Sequence, residues 1–142
     1  MLWPHDARAF VEKTRVARLG TATVEGVPQV VPVCFVLLGD RVYITIDQKP
    51  KRPTSKPLKR IRNITENPAV CLTCDHYDED WTQLGWAMLH GLARITVSGE
   101  EHAAAQASLR EKYFQYHAME IASLPVIAID IQRVAVWGNL VG

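Results

Sequence analysis

The residues of one short stretch could do chemistry by charge alone. KPKRPTSKPLKRIRNITENP runs from Lys49 to Pro68, and its first fourteen residues carry seven Lys or Arg and no acid. The whole chain has sixteen Lys plus Arg against fifteen Asp plus Glu, for a net charge of +1. A phosphate group is bound by two or three convergent Lys/Arg donors, best at a helix N-terminus. Lys56, Lys59 and Arg60 fit that pattern if residues 56–68 are helical. Pro57 suits a first helical position. Leu58, Ile61, Arg62 and Ile64 lie three or four apart, giving one apolar stripe and one basic face.

Other anionic partners fit less well. Nucleic-acid surfaces spread their charge over several elements and interleave aromatics for stacking, but residues 49–62 contain no aromatic and the total charge is near zero. A membrane-surface helix wants Trp or Phe on its apolar side; this one offers Leu and Ile. The five histidines, His5, His76, His90, His102 and His117, stand in no H-E-x-x-H or G-x-S-x-G context. His76, with four acids nearby in DHYDEDW (75–81), and the adjacent Tyr77 are the weak candidates for a proton-handling role; the plain alternative is a solvated acidic loop. Cys71 and Cys74 have Cys-x-x-Cys spacing, but in AVCLTCDHY, a strand pattern, residues three apart face opposite ways. Packing is favoured over redox or metal use, and no metal site is expected.

These residues need elements to hold them. At 142 residues, 48% apolar and 22% charged, the chain has the size and balance of one globular domain, 1–142. No apolar run approaches a membrane span and no signal peptide is apparent, so a cytoplasmic location is expected. Residues 5–19 have near-helical apolar spacing, with Asp6 as cap and Gly20 as stop. Three strands follow at about 19–24, 28–37 and 41–47, punctuated by Glu25-Gly26 and Gly39-Asp40. A strand at 69–77, an acidic loop at 78–85 and a strand at 86–97 with a bend at Gly91 come next. Ser98 can cap a helix over 99–116 that begins with Glu100 and Glu101, and the last strand covers 126–139. Six strands, mostly joined by hairpins, with about three short flanking helices, predict a mainly β fold: an antiparallel closed or partly closed barrel.

The order GTATVEGVPQVVPVCFVLLGDRVYITID, then KRIRNITENPAVCLTC, then W..L.W....G.ARI resembles the pyridoxamine 5′-phosphate oxidase-like split barrels, which bind flavin mononucleotide or the deazaflavin coenzyme F420. The likeness covers about residues 14–138, and DHYDEDW is similar to a subgroup of probable F420-dependent enzymes. The resemblance implies a split β-barrel working as a homodimer with two cofactors at the interface. It implies that Lys59 and Arg60 bind the cofactor phosphate, that Thr45, Ile46 and Asp47 flank the ribityl chain and phosphate, and that Val31, Pro32 and Val33 pass their backbone along the ring edge. It places Trp86 near the ring and makes Trp137 the candidate supplied by the partner subunit.

Where the oxidases that make pyridoxal phosphate carry an Arg-rich strand after the G.P turn, this chain has QVVPVCF, which points away from pyridoxamine phosphate oxidation. The segment between Asp47 and Lys59 is long and extra basic, with Lys49, Lys51, Arg52 and Lys56. Coenzyme F420 bears a phosphodiester lactate and a polyglutamate tail, and a basic segment attracts such a tail electrostatically. The expectation is a cytoplasmic oxidoreductase that uses coenzyme F420, or alternatively flavin mononucleotide, to transfer hydride to an unsaturated or quinone-like small molecule. The other class kept in view is a non-catalytic cofactor-binding module or a basic nucleic-acid-binding module.

Overall fold

The computed structural model describes residues 2–47 and 58–141; the expectations placed on Lys49 and Lys56 lie outside the described residues. In chain order the elements are α1 (Ala7–Lys13), β1 (Ala17–Ala22), β2 (Pro28–Val33), β3 (Val36–Leu38), β4 (Arg41–Thr45), α2 (Lys59–Glu66), β5 (Ala69–His76), β6 (Gly85–Thr96), α3 (Glu100–Lys112) and β7 (Val126–Gly138). Short 3-10 turns cover Trp81–Gln83 and Phe114–Ala118.

All seven strands form one antiparallel sheet in the order β2-β1-β5-β6-β7-β4-β3. The two strands at its opposite edges are consecutive in sequence. β2 ends at Val33 and β3 begins at Val36, so only Cys34 and Phe35 connect them. A span that short forces the sheet to curl until its edges meet. The edges meet without pairing to each other, so the barrel is split at that seam. The strand expected at 28–37 is therefore two strands, and the described residues hold seven strands rather than six. The physical reason is that β2 pairs with β1 while β3 pairs with β4, so the chain bends at Cys34 and Phe35 and changes neighbours.

Leu19, Phe35, Val42, Leu72, Leu89, Ile127 and Ile129 fill the barrel interior and are almost wholly buried. Each such side chain contributes roughly 1.5–3 kcal/mol. A second cluster lies outside the barrel, where Ala105 and Leu109 of α3, with Tyr116 and Ile121, cover Val36, Tyr43, Val126 and Ala128. β4 and the first half of β7 are thus buried on both faces, which is why VYIT and VIAI read as unbroken apolar runs. The bend expected at Gly91 is a register shift between His90 and Gly91 against β7, where a side chain would run into the backbone oxygen of Asp130. Cys74 is fully buried while Cys71 is partly exposed, as opposite strand faces require.

The first helix is shorter than its apolar pattern suggests. It ends at Lys13 with Thr14 extended, because Ala17, Leu19 and Thr21 alternate into the barrel as β1. Gly20 accordingly lies within a strand, and Asp6, at the cap position, makes no side-chain cap. α3 is preceded by Gly99 at φ 99° rather than by a Ser98 cap.

Candidate cofactor cleft

A cleft of about 540 Å³ opens at the split in the barrel. One wall is the end of β2 and the bend after it: Val31, Pro32, Val33 and Cys34. β2 is an edge strand, so the backbone groups on its outer side have no neighbouring strand to pair with. Pro32, which carries no N–H, is at home there. The facing wall is the end of β4 and its continuation, with Ile44, Thr45 and Asp47. Tyr116, Val16 and Arg60 complete the lining.

The segment 45–47 alternates its side chains as an extended chain must. Ile46 points into the barrel core and its N–H donates to the Pro125 carbonyl at 2.9 Å. Thr45 Oγ1 accepts from Gln106 Nε2 at 2.9 Å, and Asp47 Oδ2 accepts from the Tyr116 hydroxyl at 3.1 Å. Burial, then the Asp47 charge, raises the Tyr116 hydroxyl far above the ordinary phenol range, so it stays protonated. Burial likewise raises the Cys34 thiol.

α2 brings the positive charge. The helix is fixed on β1 by a buried side-chain bond, Asn63 Nδ2 donating to Thr21 Oγ1 at 3.0 Å, and by Asn67 Nδ2 donating to the Thr23 carbonyl at 3.2 Å. Ile64 packs into the barrel core. The N–H groups of Ile61 and Arg62 both reach the Leu58 carbonyl, which leaves those of Lys59 and Arg60 without an intrahelical acceptor. Among the described residues no acid stands in the first turn and no side chain caps it, so nothing described there opposes its positive dipole end. Arg60 lines the cleft, and its Nε is buried with no hydrogen-bond partner among the described residues. A buried guanidinium N–H left unpaired is costly. An anionic oxygen at the cleft would satisfy it together with the free helix N–H groups, so the residues present fit a phosphate.

The expected site residues are thus partly brought together. Val31, Pro32, Val33, Thr45, Asp47 and Arg60 line one cleft. Two expected residues do not line it: Lys59 is exposed at the first position of α2, and Ile46 turns its side chain into the core and its N–H to Pro125. Trp86 and Trp137 face each other as register partners on β6 and β7; neither lines this cleft. His76 borders a separate cleft of about 390 Å³ with Asp75, Gln83 and Asn139, and Tyr77 is exposed.

Four lining residues were not expected: Val16, Cys34, Ile44 and Tyr116. Tyr116 sits 69 residues from its partner Asp47, and no local pattern announces that contact. A second cleft of about 610 Å³ shares Cys34, Asp47 and Tyr116 with the first and continues along Tyr113–Met119. Its inner end is fixed by Lys112, whose ammonium donates to the Thr14 carbonyl at 2.8 Å and the Phe35 carbonyl at 2.9 Å. Burial pushes the Lys112 ammonium down to about 8. The Tyr113 hydroxyl accepts from the Phe35 N–H at 3.0 Å. The end of α3 thereby grips both the loop before β1 and the bend between β2 and β3.

Known structures share this fold. A heme binding protein from Mycobacterium smegmatis superposes with a TM-score of 0.76 at 23% identity over 98% of this chain and 56% of its own; the chain thus spans little more than half of that protein. HutZ, the heme storage protein from Vibrio cholerae, gives 0.72 at 14% identity, covering 97% and 95%. An F420 reductase gives 0.68 at 21% identity, covering 94% and 98%. Identities this low speak for fold alone. No curated protein matches the sequence. The profile of the pyridoxamine 5′-phosphate oxidase family matches residues 4–138, nearly the full length, and with the split barrel and its cleft this makes the chain a member of that family.

Proposed function

We propose that the protein is an oxidoreductase that holds a flavin-type cofactor in the Val31–Arg60 cleft and passes hydride between it and an unsaturated or quinone-like small molecule. The observation that carries this reading is the buried Nε of Arg60, without a partner among the described residues, beside a start of α2 that no described side chain caps. Coenzyme F420 is favoured over flavin mononucleotide because the segment between Asp47 and Lys59 adds Lys49, Lys51, Arg52 and Lys56, more positive charge than one phosphate needs. Among the described residues the cleft is lined by no histidine, which supports a flavin-type ligand over heme.

When bound, such a cofactor supplies the hydride chemistry itself. The chain's share is binding and orientation. Lys59, Arg60 and the free N–H groups of α2 hold the phosphate, and Lys49 and Lys56 attract the acidic tail. Thr45 and Asp47 flank the polar chain, and the outer edge of β2 from Val31 to Val33 runs along the ring. Tyr116 keeps its proton and fixes the Asp47 carboxylate. We further propose a cytoplasmic homodimer in which Trp137 of one subunit, and Trp86, close the ring pocket.

Parallel titrations test the reading. Coenzyme F420, followed by its fluorescence, is expected to bind more tightly than flavin mononucleotide. Tighter mononucleotide binding reverses the cofactor preference, and failure of both to bind at micromolar concentration overturns the oxidoreductase reading.

A further inference from the structure

The second cleft has a makeup of its own. Phe114 is 83% exposed on its wall and Met119 is 37% exposed; large apolar side chains left in water across a concave surface mark a binding site. Tyr113 and Tyr116 meet edge to face with ring centroids 5.7 Å apart, so the cleft has an aromatic wall. Arg15 lies over the Tyr113 ring, its guanidinium carbon 5.6 Å from the centroid. One Arg15 nitrogen donates to the Lys112 carbonyl; its other N–H groups have no partner among the described residues. Two cations, Arg15 and Lys112, line the cleft against one carboxylate, Asp47, which already accepts from Tyr116.

From these features we infer that this cleft is the substrate site and that it takes a planar, conjugated molecule carrying one acidic group, its ring against Tyr113 and Phe114 and its anion at Arg15. The inference rests on the first cleft being the cofactor site, because the shared wall of Cys34, Asp47 and Tyr116 is what would bring the substrate alongside the cofactor. The volume of about 610 Å³ suits a molecule of two or three fused rings. An aromatic ring against an aromatic face and a carboxylate on an Arg fork are each favourable pairings, and Tyr113 and Arg15 offer one each in the same cleft.

The test uses 2-naphthoate as an unreactive probe and 2-naphthamide as its uncharged counterpart, each titrated by calorimetry into the full-length protein without cofactor. Naphthoate is expected to bind more tightly than the amide. Arg15→Gln should weaken naphthoate roughly tenfold, the loss of one charged hydrogen bond, and leave the amide unchanged. Phe114→Ala, at an exposed position, should weaken both. Coenzyme affinity, measured separately, should be unchanged in either variant, so failure of the cofactor reading shows in that titration and failure of the substrate site in the naphthoate one. Equal affinity for acid and amide, indifference to both substitutions, or competition between naphthoate and coenzyme would overturn the inference. So would a Phe114→Ala protein that binds naphthoate normally but loses self-association, since the cleft would then be covered by a second copy.

Discussion

At the scale of single residues, the site depends on contacts that do not touch a ligand. Asn63 is buried on the far side of α2 from solvent, and its amide is the side-chain tie between that helix and Thr21. Asn63→Ala leaves the Thr21 hydroxyl unpaired in the interior, at a cost of about 1–3 kcal/mol, and loosens the element that presents Arg60. The expected result is a lower melting temperature together with a weaker coenzyme affinity, measured by thermal unfolding and fluorescence titration. An unchanged affinity would mean that the register of α2 does not matter to binding. The type of Asn63 is visible in KRIRNI, but its partner is not: Thr21 lies 42 residues away. The same holds for Arg15 and Tyr116, whose roles come from folding α3 and its following turn against the start of β1 and the end of β4. The sequence marks cations and apolar stripes well because charge and periodicity are local. It does not mark which hydroxyl will meet which carboxylate.

At the scale of elements, α3 is seated by one carboxylate. Glu101 accepts two hydrogen bonds from the Arg94 fork on β6, at 2.6 and 2.7 Å, and one from the Tyr43 hydroxyl on β4 at 2.7 Å. These bonds, Arg94 first, pull its carboxyl from the ordinary 4.5 down to about 2. A folded-state value below the unfolded one gives stability that is complete above pH 4.5 and is lost as the pH falls toward 2. Glu101→Gln should therefore melt below the wild type at pH 7, and the gap should close over that acid window. A gap that stays constant with pH would assign Glu101 no electrostatic share. Element positions were largely legible: the basic helix, the hairpin turns and the Gly91 irregularity all stand where turn chemistry and periodicity put them. Several boundaries were not: the basic helix begins at Lys59 rather than near 56, and α3 ends at Lys112 rather than near 116, where a 3-10 turn follows. Residues 14–19 fit a helical stripe and a strand alternation equally well, and burial of Ala17 and Leu19 in the barrel decides for the strand. VVPVCFVLL is uniformly apolar, so its change of strand partner at Cys34 and Phe35 leaves no trace in composition.

At the scale of the whole molecule, the tight connection from β2 to β3 determines the barrel and the cleft together. Joining opposite edges of a seven-stranded sheet through Cys34 and Phe35 closes the barrel, and the unpaired seam left there is where a ligand can reach backbone. The outer surface beyond the site carries exposed apolar side chains, including Trp137, Trp81 and Val30. Burying such groups is the usual reason for self-association. Sedimentation is expected to give twice the chain mass, and Trp137→Glu should shift the protein toward monomer; a monomeric wild type would remove the partner subunit from the site.

In the proposed function, Arg60 and the start of α2 hold a cofactor phosphate. Coenzyme titration of the wild type against the double variant Lys59→Ala, Arg60→Ala tests it most directly. With each charged hydrogen bond worth roughly 1.5–3 kcal/mol, affinity is expected to fall by at least about tenfold while the fold stays intact by circular dichroism. A well-folded double variant that binds the coenzyme as tightly as the wild type would contradict it.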